Sequence, residues 1–149
     1  MRWETMKTEI LLDDQIWEID TDNLRFTDAT LNSFFERVSG IIDYVGSGLA
    51  KSNYCHSMME HRYKQRYIQK FKEFKDQGKS DKTAELSAEG DPEVDALKKM
   101  SIEAKYKRDI LYSHLQALNS AREDAHNRGH MLRKEMAKLN MDIMSPSEF

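Results

Sequence analysis

PEVDALKKMSIEAKYKRDILYSHLQALNSAREDAHNRGHMLRKEMAKL, residues 92–139, carries a helix start signal followed by a single sustained period. Asp91 is a good N-cap, Pro92 belongs at the first helical position where its missing N–H is no loss, and Glu93 complements the helix dipole. From there Leu97, Ser101, Ala104, Arg108, Leu111, Leu115, Leu118, Arg122, Ala125, Gly129, Leu132, Met136 and Leu139 follow at intervals of four and three, a heptad seam. Its small residues Ala121, Ala125 and Gly129 permit close backbone approach. Arg108 and Arg122 either cross to an acidic partner or line a polar channel.

A second apolar series precedes it over residues 28–77: Leu31, Phe35, Val38, Ile42, Val45, Leu49, then Met59, Tyr63, Tyr67, Phe71 and Phe74, with weak positions at Ser52 and His56. Thr27 or Asp28 caps its start. Gly46-Ser47-Gly48 interrupts the pattern, and each glycine costs about 1 kcal/mol relative to alanine inside a helix. The glycines admit a kink or short break there, but the register resumes in phase, which favours one long helix, bent or straight, over two separate ones. Residues 78–91, GKSDKTAELSAEGD, are small, polar and bounded by glycines, and read as a loop holding at most a short turn.

The expected fold is therefore all-α: a long antiparallel hairpin of helices over 28–77 and 92–139, each roughly 75 Å if straight. Residues 1–26 precede it as an arm whose Ile16-Trp17-Glu18-Ile19-Asp20 alternation admits a strand, a helix or an extended segment, and residues 140–149 are expected to fray. Apolar residues make up only 39% of the 149 and charged ones 33%. A hairpin of that composition leaves amphipathic faces open, so homo-oligomerisation into a bundle or ring is expected to complete the core.

Composition narrows the function class. Cys55 is the single cysteine, so no intrachain disulfide forms; the first residues lack a signal-peptide core and no run approaches a membrane span. A soluble cytoplasmic protein is expected, in the host cytoplasm if phage-encoded. No P-loop, nucleophile elbow or dinucleotide fingerprint occurs, and the many acids form no nominated pair, so neither an enzyme nor a cofactor is expected. Cys55 and His56 are neighbours on a helix and diverge by about 100°, the wrong geometry for nucleophile and base. Glu123, His126 and His130 share a helix face that offers three ligands, but a di-metal bundle needs a second such motif, and no metal site is expected.

Charge is the stronger signal. The chain is acidic overall, with formal net charge −3, yet residues 61–82, HRYKQRYIQKFKEFKDQGKSDK, hold eight Lys or Arg against three acids. Arg62, Lys64, Arg66, Lys70, Lys72 and Lys75 flank the Tyr63, Tyr67, Phe71 and Phe74 stripe, and residues 61–72 contain no acid. Spaced by three and four, those rings read as a packing seam, while two cationic flanks suit a nucleic-acid backbone. Acidic and basic blocks alternate along the chain, so the same charges also suit docking between copies, and a structural coiled-coil or assembly protein without nucleic-acid affinity is the alternative.

The order of short motifs resembles the UvsY-type recombination mediators of T4-like phages. The opening Met1-Arg2 with Glu4, Ile19-Asp20 followed by Leu24, Lys64-x-Arg66 before aromatics, Leu86-Ser87-Ala88 ahead of an acidic turn, and Asn127-Arg128-Gly129 in a long terminal helix carry the resemblance over most of the length. It implies a non-enzymatic, ring-like helical oligomer that binds single-stranded DNA and helps load a RecA-like recombinase, contacting that recombinase and the single-strand-binding protein. It also implies that Lys64 and Arg66 lie at the DNA, with Arg62 and Lys70 in support. The basic segment of this chain, running on through residues 67–82, is longer than in that family.

Overall fold

A computed structural model of the protein describes residues 7–12, 15–20 and 25–144. Strands β1 (Lys7–Leu12) and β2 (Gln15–Asp20) pair as a two-stranded sheet, a 3₁₀ turn spans Asp28–Thr30, and three helices follow: α1 (Leu31–Asp76), α2 (Asp81–Glu89) and α3 (Pro92–Met144). The chain is thus mostly helical, as the two periodic series require. The expected all-α class is corrected by the sheet. Its cause is a period of two: Ile10, Leu12, Trp17 and Ile19 are buried while Leu11, Ile16 and Glu18 are exposed, an alternation a helix cannot produce.

The loop expected over 78–91 is also corrected, because most of it is α2. Ser80 caps that helix by accepting a hydrogen bond from the Thr83 N–H at 3.3 Å, and Asp81 sits in its first turn. The glycines that suggested a loop delimit the helix instead. Gly78 adopts φ +84°, closing α1 with bonds from Gly78 N–H to Lys75 C=O (2.9 Å) and from Lys79 N–H to Phe74 C=O (3.3 Å). These two bonds are the Schellman pattern, which glycine satisfies without strain. Gly90 caps the end of α2.

α3 begins at Pro92, with Asp91 accepting from the Asp95 N–H at 2.9 Å. It continues past the expected end at 139 to Met144, since no glycine or proline intervenes before Pro146; the rest of the tail expected to fray, 145–149, lies outside the described residues.

Two compact units divide the chain, and α1 and α3 each contribute a stretch to both. The first unit combines residues 18–45 with 114–149 and the first residues of the sheet. Leu31, Phe34, Val38 and Val45 of α1, Leu118 and Ala125 of α3, and Ile19 of β2 form its buried core. Phe34, fully buried, packs its ring 5.0 Å from Phe26. A β-carbon on Gly129 would lie 3.4 Å from the Leu31 side chain, so the small residue permits the close approach its spacing suggested. Arg128 closes this end, donating from Nε and Nη2 to the two oxygens of Asp28 at 2.8 Å each. Those bonds hold the Asp28 carboxyl below its ordinary value and push the guanidinium up.

His114 in this unit is half-buried, and loss of hydration pushes its imidazole below the ordinary histidine value. A base depressed on folding adds stability that is full above its unfolded value of about 6.5 and is lost as pH falls toward the folded one. Wild type is therefore expected to lose more thermal stability than His114→Gln between about pH 7.5 and 5.5. Equal losses in paired melts contradict this assignment.

In the second unit, residues 10–17 join residues 46–113. Its α1 and α3 stretches run antiparallel, since Arg66 pairs with Glu93 while His56 meets Arg108. Trp17, Ser52, Ala84, Ala88, Val94 and Leu111 are buried here, so α2 packs through its Ala84 and Ala88 face. One long helix runs through 46–48, as the in-phase register favoured: α1 is continuous through both glycines. They differ in role. A β-carbon at Gly46 meets nothing within 4 Å, whereas one at Gly48 would lie 3.0 Å from the Trp17 ring. Gly46→Ala is expected to stabilise the protein by about 1 kcal/mol, read as a raised denaturant midpoint.

Candidate nucleic-acid interface

The basic segment folds as the last four turns of α1, the Gly78 cap and the start of α2. Tyr63, Tyr67 and Phe71 are half-buried and form a ladder, with ring centroids 6.4 and 6.5 Å apart. Their spacing on α1 makes them a packing seam, and loss of hydration together with Glu85 and Glu89 of α2 raises the Tyr67 phenol above its ordinary value. Aromatic faces half-covered in this way are poorly placed to stack several successive bases. The cations on either side are the exposed chemistry.

Those cations fall into two groups. Arg62 and Lys72 are exposed and make no ion pair among the described residues, and Lys64 is exposed although its Nζ lies 3.1 Å from Glu60 Oε1. Lys64 holds the Glu60 carboxyl below its ordinary value. The other group is engaged within the fold. Arg66 donates from Nη1 to Gln69 Oε1 at 2.8 Å and from Nη2 to Glu93 at the start of α3, while its buried Nε has no partner. Lys70 is half-buried against Glu73 at 3.1 Å, and Lys75 reaches Asp81 of α2 at 2.6 Å. Lys79 lies 4.4 Å above the Phe74 ring.

All six cations expected at a polyanion thus lie on one helix; Arg62, Lys64, Lys72 and Lys75 are exposed, but Lys75 is drawn to Asp81 of α2. Pairs such as Lys70–Glu73 and Lys75–Asp81 contribute little to stability, at most about 1 kcal/mol each, and yield readily to a denser anion. Arg66 differs because it ties α1 to α3.

No family model, curated protein or solved structure matches this chain.

Of the cations on α3, the sequence singled out Arg108 and Arg122 but not Lys98 or Lys105. Lys98, Lys105 and Arg108 line an open groove of about 400 Å³ together with Tyr63 and His56 of α1. A seven-residue spacing puts Lys98 and Lys105 on one face, a signal obscured by the mixed charges around them. Arg108, which had two alternative roles, meets His56 Nδ1 at 3.3 Å and its neighbour Asp109 at 3.1 Å; Arg122 is exposed. The Glu123, His126, His130 face holds no cluster: the two imidazoles pack edge to face at 4.8 Å, and among the described residues no three ligands converge on a metal position. Among the same residues no helix is long and apolar enough to cross a membrane.

Proposed function

We propose that the protein is a non-enzymatic, homo-oligomeric mediator of the UvsY type, which holds single-stranded DNA and helps load a RecA-like recombinase onto it. The observation that carries this reading is the outward display of Arg62, Lys64 and Lys72 within residues 61–82, a stretch with eight cations and three acids, in a chain of net charge −3. Concentrated positive charge on an acidic protein attracts a polyanion without being offset by general stickiness. Oligomerisation is supported by apolar side chains that remain exposed at the end of α3, Met131, Met136, Leu139 and Met141. Several copies of one weak site then hold a strand by avidity.

Mechanistically, phosphates engage the α1 cations while most bases stay accessible, because Tyr67 and Phe71 of the aromatic ladder are occupied in packing. A strand held extended in that manner weakens a resident single-strand-binding protein and leaves its bases open to a recombinase. The test is recombinase filament growth on DNA coated by single-strand-binding protein. The protein should shorten the lag at substoichiometric amounts; an unchanged lag would overturn the mediator role.

A second reading is a structural assembly protein whose charged blocks serve docking between copies. The ion pairs of Arg66, Lys70 and Lys75 favour it, since they already offset part of the surplus. It predicts salt-sensitive self-association without DNA affinity.

A further inference from the structure

The groove beside Tyr63 combines features that the α1 flank lacks. Lys98 and Lys105 project into it from α3, both exposed and neither in an ion pair among the described residues. They are two helical turns apart, roughly 10 Å along the axis. Between them lie the Ser101 hydroxyl and the apolar Ile102, and across the groove stands the half-buried Tyr63 ring. Arg108 adds a third cation. The one acid at the groove, Glu60, is occupied by Lys64 at 3.1 Å.

Two cations two turns apart on one wall, an aromatic ring on the facing wall and a volume of about 400 Å³ suit a ligand that is anionic at two points and flat between them. We propose that this groove takes one nucleotide unit of the DNA strand, its base against Tyr63 and its flanking phosphates on Lys98 and Lys105, with Arg108 nearby. This rests on the single-stranded-DNA reading and extends it from α1 onto α3. The strand then crosses between the helices instead of following the α1 flank alone. Arg62 and Lys64, on either side of Tyr63 in sequence, continue the track onto α1.

The experiment is anisotropy of a labelled oligo-dT across a salt series with three proteins: wild type, Lys98→Ala/Lys105→Ala, and Lys134→Ala/Lys138→Ala. The last removes two exposed lysines far along α3 and controls for net charge. Losing two phosphate contacts is expected to lower the slope of log affinity against log salt by about 1.4 and the affinity about 25-fold near 0.1 M salt. The control pair should leave both nearly unchanged. In a second arm wild type should bind an oligonucleotide with abasic sites about tenfold more weakly, and Tyr63→Leu should remove that difference.

Tight wild-type binding with equal losses in the two lysine pairs overturns the groove assignment and leaves the DNA reading standing. No wild-type binding at low salt overturns both. Displacement of the oligonucleotide by dTMP at equal nucleotide concentration assigns the groove to a free nucleotide, and equal competition by poly-glutamate assigns it to an acidic protein segment. Either result contradicts the proposal.

Discussion

Replacing Arg62, Lys64 and Lys72 together by alanine is expected to weaken oligo-dT binding about 100-fold near 0.1 M salt, since three lost phosphate contacts lower the salt slope by about 2. These three are chosen because they face outward; none ties one element to another. Arg66 is deliberately kept. Its guanidinium joins Gln69 and Glu93, and its loss would leave the Glu93 carboxylate and the packing beneath the side chain disturbed, which confuses binding with folding. An intact circular dichroism melt with lost DNA affinity assigns the role to charge. Unchanged affinity in a folded triple variant would remove these cations from the site.

The largest expected effect on stability is at Trp17 and Gly48. Trp17 is 8% exposed, and its ring occupies the space a β-carbon at Gly48 would need, with the closest atom 3.0 Å away. Trp17→Ala is expected to cost about 3 to 5 kcal/mol, from lost burial and the cavity left behind. Gly48→Leu in the wild type forces that ring aside and is expected to cost about 1 to 3 kcal/mol. In the Trp17→Ala background the clash is gone, so the same Gly48→Leu should stabilise by about 1 kcal/mol as an ordinary helix substitution. A strongly non-additive cycle in urea titrations is the signature of contact between the two residues. Additive effects would contradict the packing of β2 on α1.

The same pair shows what the sequence does and does not disclose. Gly46-Ser47-Gly48 looked like a weakness in a helix because propensity is a local property, whereas Gly48 serves a ring thirty-one residues earlier. Long helices were legible because a period of three and four repeated over many turns fixes a face: Leu31, Val38, Val45, Leu111, Leu118 and Ala125 are all buried where the series placed them. Phe34 was missed in favour of Phe35, one position round the helix, although it is the more buried of the two. α2 was missed because its two glycines mark ends, and ends look like loops when the helix between them is only nine residues long. Of the strands, β2 was foreshadowed by the Ile16 to Asp20 alternation, while β1 carries Ile10-Leu11-Leu12 in a row and hides its period.

Among the candidate site residues, the sequence located the charge and the structure sorted it. Composition along residues 61–82 cannot tell Lys72, which is exposed, from Arg66, which is held by Gln69 of its own helix and Glu93 of α3. Nor can it bring Lys98 and Lys105 beside Tyr63, since that depends on the antiparallel register of α1 and α3 within their unit. Long-range partners decide which cations remain available, and long-range partners are what a periodic pattern leaves open.

The most direct measurement of the central claim is fluorescence anisotropy of labelled oligo-dT and of duplex DNA of equal length, each titrated with the protein at two salt concentrations. Tight binding at low salt that favours the single strand and collapses as salt rises is expected. A folded protein that binds neither DNA at low salt would contradict it and leave assembly between copies as the role of the charged helices.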